Sequence, residues 1–161
     1  MEITRLETEN LYCKTLQLSG LGKSARELLA ARKLKDQHQW SKLIELYNGN
    51  PLWLNVIATA VLELFDGSVQ KFLSYPTLYL GELEPILKQH YQRLCESEKV
   101  LIRWLANQEK PVEISENPIE ILSDEDFLKA IQSLRKRNFL AQSSALSLQP
   151  VIQQYVKNLS C

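Results

Sequence analysis

The chain has 161 residues, 45% of them apolar and 24% charged, which is the composition of a globular protein holding one ordinary domain or two small ones. Lys plus Arg and Asp plus Glu both number 19, so the net charge is zero and gives no support to a partner held mainly by charge, whether nucleic acid or an anionic membrane. Three widely separated cysteines, Cys13, Cys95 and Cys161, argue against a disulfide framework and for reduced thiols in a cytoplasmic protein; no cysteine pair has zinc-ligand spacing, and His38 and His90 stand alone, so no metal site is expected.

The N-terminal MEITRLETEN is polar and mixed in charge, unlike a signal peptide. Leu11 to Leu18, LYCKTLQL, alternates apolar and polar residues and reads as a short strand. Gly22-Lys23-Ser24 follows and ends like a phosphate-binding loop, but that loop needs G-x-x-x-x-G-K-[ST] so that consecutive backbone N–H groups wrap the phosphates. Here Gln17 stands at the first glycine position, and the loop is too short to encircle a phosphate. The simpler reading is that Gly20 and Gly22 end the strand and that Lys23 or Ser24 opens a helix.

That helix spans Lys23 to Leu34, with Ala25, Leu28, Leu29 and Ala31 at helical spacing. A second covers about Gln37 to Tyr47, with Trp40, Leu43, Ile44 and Tyr47 on one face. In NGNPLWLN, Gly49 can stop it in the left-handed conformation, Asn50 can cap the next helix, and Pro51 fits that helix's first turn, where its missing N–H costs nothing. The helix from Pro51 to Phe65 is apolar on most sides, so it is expected to be buried; Asn55, Thr59 and Glu63 interrupt it, and it falls short of the roughly 20 residues a bilayer requires. Gly67-Ser68 stops it and caps a short helix, Val69 to Leu73.

Ser74 to Glu82 holds a Pro and a Gly and reads as a linker. Helices follow at about Leu83–Leu94 and Glu96–Gln108, then a short strand candidate at Pro111–Ile114. Ser123 with Asp126 three places on is a helix-start signature. The helix it opens carries Phe127, Leu128, Ile131 and Leu134 inward and ends near Arg137. Phe139 to Leu148 reads as a hairpin around Ser143-Ser144, and a last helix runs from about Pro150 to Asn158. The expected fold is mainly α: a small helical bundle, then helix, helix, strand, helix, hairpin, helix, the order of a winged-helix domain.

LQLSGLGKSARELL, WSKLIELYNGNPLWLNVIATAVLELFDGSVQKFL, SEKVLIRWLANQEKPV, LKAIQSLRKRNFL and LQPVIQQYV appear in this order and at similar spacing in NB-ARC proteins. The chain thus resembles these signalling NTPases of the STAND class, and most of all a bacterial, cyanobacterial-like form associated with WD repeats. The resemblance implies that residues 1–20 are the tail of an NTPase domain, 21–80 a four-helix bundle of the ARC1 type, and 81–161 a winged helix of the ARC2 type. It places the phosphate-binding loop, the Mg²⁺-binding acidic strand and the sensor arginine upstream of Met1. The implied function is the regulatory lid of a nucleotide switch, with no catalysis of its own. No cofactor is expected for the chain alone, and ADP or ATP only in the intact module. The implied partners are a P-loop NTPase domain or chain and a downstream repeat domain.

Two sites carry over from the resemblance. Gly49-Asn50-Pro51 matches the family's G-x-P motif, whose proline packs near the adenine of ADP; a helix stop, a cap and a first-turn proline also explain these residues without any ligand. Leu148-Gln149-Pro150 falls where the family has Met-His-Asp, whose histidine reaches a phosphate. Gln149 can donate a hydrogen bond there but carries no titratable charge. Cys95 likewise stands where related sequences often have a capping Ser, with Glu98 in place to reach back. Two other readings stand beside the lid: a winged-helix DNA-binding regulator and a subunit completing a split NTPase. Against the first, the candidate recognition helix opens with Asp124-Glu125-Asp126, which would face phosphates.

Overall fold

Local capping and apolar periodicity lay out a mainly helical chain. The computed structural model describes residues 22–115 and 117–159. The expected strand over 11–18, and with it the whole expected NTPase remnant over 1–20, lies outside the described residues. Among the described residues there are eight α-helices: α1 (Gly22–Ala31), α2 (Trp40–Leu46), α3 (Pro51–Phe65), α4 (Val69–Leu73), α5 (Leu83–Gln92), α6 (Glu96–Ala106), α7 (Asp124–Lys136) and α8 (Pro150–Leu159). Among the described residues no helix is long and apolar enough to cross a membrane.

The first two helices differ from the periodicity-based bounds. α1 stops at Ala31, three residues before the expected end, because Lys33 takes the left-handed conformation at φ 55°. That turn swings Leu34 into the core and lets the Lys35 N–H reach the Gly67 carbonyl at 2.8 Å. Leu34, the expected end of the helix, is therefore buried but lies outside it. Asp36 is also left-handed, and a single 3₁₀ turn, Gln37–Gln39, precedes α2. The Asp36 carboxylate accepts from the Ser68 hydroxyl at 2.8 Å and from the Gln70 N–H at 3.0 Å, tying this turn to the start of α4.

α3 is the central helix of the first half. It packs against α1 and α4, and Leu54, Ile57, Ala58 and Val61 are buried. Its ends alone show large apolar side chains to solvent, at Leu52 and Leu64. In the second half α6 packs on α7 and α8, and α5 on α8. Strand pairing among the described residues is confined to two antiparallel bridges, Val112 with Leu146 and Leu140 with Leu148. The expected strand at 111–114 therefore pairs at Val112, through reciprocal bonds of 2.8 and 2.7 Å. Leu146 and Leu148, either side of Ser147, are both buried, as side chains two apart on an extended segment share one face. Buried apolar residues form one continuous core from Ala25 to Val156.

Candidate functional site

The turn between α2 and α3 is built from its sequence upward. Asn48 and Gly49 are both left-handed, at φ 54° and 59°, and the Gly49 N–H returns to the Ile44 carbonyl at 2.8 Å. Asn50 is extended, and its Oδ1 accepts from the Leu52 and Trp53 N–H groups at 3.0 and 3.2 Å. Two of the donors left open at the helix start are thereby satisfied. Pro51 occupies the first helical position and is exposed, whereas Gly49 is buried. Just before the turn, Tyr47 is buried and donates to the Tyr79 carbonyl at 2.7 Å; burial pushes its phenol well above the usual range.

The second segment begins where α7 ends. Asn138 is left-handed at φ 59°, and the Phe139 N–H reaches back to the Leu134 carbonyl at 3.0 Å. The chain then runs through the Leu140–Leu148 bridge to Gln149, which is 2% exposed. Its Nε2 donates to the Asn138 carbonyl at 2.6 Å, while its Oε1 is buried with no hydrogen-bond partner. An unsatisfied buried acceptor of this kind typically costs about 1–3 kcal/mol.

These two segments face each other across a cleft of about 210 Å³. Asn50, Leu52 and Trp53 line one side, Arg137, Asn138 and Phe139 another, and Ile86, Leu87, His90 and Ile152 complete it. Pro51 sits between two lining residues without lining the cleft itself. Gln149 stands one hydrogen bond behind Asn138. Gly49 shapes the turn and does not line the cleft. The Arg137 Nε lies 3.7 Å from the Glu98 carboxylate, whose other oxygen accepts the Cys95 N–H at 2.7 Å. Glu98 is 3% exposed, so it joins the start of α6 to the residue that follows α7. His90, which stands alone in the sequence, and Arg137, which follows α7, meet at the cleft through packing alone.

The cleft's chemistry is one cationic side chain, one imidazole, two side-chain amides and apolar walls. Its volume is below the roughly 300–1,000 Å³ of sites that enclose a whole drug-sized ligand, so it can take one part of a nucleotide-sized molecule. Among the described residues no group of three or more His, Cys, Asp or Glu could hold a metal ion.

No family model matches the chain, and no solved structure matches it. Over 166 aligned positions covering 97% of its length, the chain is 30% identical to an uncharacterized WD repeat-containing protein of Nostoc sp.. It spans 13% of that relative's length. The similarity therefore concerns one segment of a much longer repeat-containing protein.

Proposed function

We propose that the chain is the regulatory lid of an NB-ARC-type nucleotide switch, a cytoplasmic module that senses bound ADP and relays that state. In this reading residues 21–80 act as the helical bundle and 81–161 as the winged helix of such a module. The observation that carries the proposal is the cleft itself. Asn50, between the two residues of the first segment that the resemblance assigns to nucleotide, lines that site, and Gln149 of the second segment hydrogen-bonds to Asn138, which lines it from the other side. The partial size of that site agrees with a ligand whose remaining contacts come from a P-loop domain. The WD-repeat relative supports a repeat domain as the downstream partner.

A nucleotide held by both segments stabilises whichever arrangement keeps both contacts, by no more than its difference in affinity between arrangements. The test is to join the chain to a P-loop domain of the NB-ARC class and titrate ADP by calorimetry. Gln149→Ala is expected to weaken ADP by about two- to tenfold, by freeing the cleft-lining Asn138 whose carbonyl its Nε2 holds, and Gln149→His, the residue of the resembled family, to tighten it. Pro51→Ala is expected to weaken it also. Equal affinities for all four proteins would refute the lid reading and leave Pro51 as a helix starter.

A further inference from the structure

A second cavity lies away from that cleft. It measures about 690 Å³ and opens between the end of α3, α4, the connection over 75–81 and the start of α5. Four aromatic rings line it and pack edge to face in series. Phe65 meets Phe72 at 5.7 Å and 80° and meets Tyr75 at 5.5 Å and 70°, and Phe72 meets Tyr79 at 6.3 Å and 84°. Successive ring planes stand 70–84° apart, so the rings that line the cavity turn in different directions around it. Phe72 is buried, but Tyr75 is 65% and Tyr79 41% exposed, more than a ring needed only for the core would be.

The surroundings hold this arrangement in place. The Tyr79 carbonyl is anchored by the buried Tyr47 hydroxyl. Gly81 adopts φ +48°, and a Cβ there would lie 2.7 Å from Tyr79 Cζ, so only glycine leaves the ring its position. Glu84 is the one ionisable carboxylate lining the cavity, no Lys or Arg lines it, and among the described residues no cation pairs with Glu84.

We propose that this cavity binds a small organic cation carrying an alkylammonium group. Aromatic faces present negative quadrupole and one unpaired carboxylate adds net charge, so both attract a cation. A quaternary nitrogen donates no hydrogen bonds, so ring faces replace its hydration without leaving a donor unmet. A neutral apolar ligand would gain from the walls but nothing from Glu84.

The experiment uses the intact chain, titrated by calorimetry with choline and with its neutral isostere, in which carbon replaces the quaternary nitrogen. Choline is expected to saturate below about 10 mM and to bind about three- to thirtyfold more tightly than the isostere. Tyr75→Leu and Glu84→Gln change exposed side chains, and each is expected to weaken choline severalfold; Glu84→Gln should leave the thermal midpoint unchanged, whereas Tyr75→Leu, which loses the edge-to-face contact with Phe65, should lower it slightly. Gly81→Ala is expected to weaken choline by displacing Tyr79. Equal binding of choline and the isostere, or no choline binding in this range, overturns the proposal. So does choline binding that survives both Tyr75→Leu and Glu84→Gln.

Discussion

Replacing Asn50 by alanine separates the structural work of the α2–α3 turn from any work on a ligand. The Asn50 Oδ1 holds two N–H groups, on Leu52 and Trp53, and α3 is the 15-residue helix whose buried face anchors the first half of the core. Alanine leaves both donors to water, and a lost cap of this kind costs about 0.5–2 kcal/mol, with a central value near 1. Asn50→Gly keeps the extended backbone easy and lets water reach the donors, so it should cost only a few tenths. Asn50→Asp keeps the acceptor and adds a charge favoured by the helix dipole, so it should match or exceed wild type. Pro51→Ala removes no hydrogen bond, and its cost, about 0.4–1 kcal/mol, comes from a freer unfolded chain. In a chain of this size 1 kcal/mol moves the thermal midpoint by roughly 2–4 °C. Urea unfolding followed by circular dichroism and tryptophan fluorescence measures these differences, and Trp53 reports from the capped turn itself. Asn50→Ala within about 0.3 kcal/mol of wild type, or no more costly than Asn50→Gly, would refute the capping account.

The isolated chain is expected to hydrolyse neither ATP nor GTP, because Gln17 stands where the loop needs its first glycine; phosphate release above blank that Lys23→Ala abolishes would contradict this. At Gln149, leucine removes the unpaired Oε1 along with one net hydrogen bond and should stay within about 1 kcal/mol of wild type, whereas alanine leaves a void and should cost about 1–3 kcal/mol; urea melts in which leucine is the worse of the two would contradict the burial argument. The Gln70 N–H, and after it the Ser68 hydroxyl, holds the Asp36 carboxyl below its ordinary value of 3.8. A carboxyl lowered on folding contributes stability above its unfolded value and loses it as the pH falls through the folded one. The stability gap between wild type and Asp36→Asn should therefore be present at neutral pH and close as the pH is taken below 3.8, which acid titration of both proteins by circular dichroism will check.

What the sequence determined by itself is local. Asn50, Ser68 and Ser123 each cap the helix they precede, and Gly49 sits in the left-handed conformation its position suggested. These signals act within three or four residues, so no distant contact is needed to decide them. The mainly helical class followed from the same local periodicities. The candidate site was legible only as two segments: their residues could be named, but not what each would face. Tertiary structure decided that Gln149 turns inward to the Asn138 carbonyl, leaving Pro51 as the exposed member of the pair. It also decided that Lys33 breaks α1 so that Leu34 enters the core, and that Asp36 reaches across 32 residues to Ser68. The Glu98–Arg137 pair and the aromatic cavity with Glu84 belong to the same class. Each joins residues far apart in the chain through side chains whose direction is set by how helices pack, and periodicity along one helix carries no information about which distant residue lies opposite.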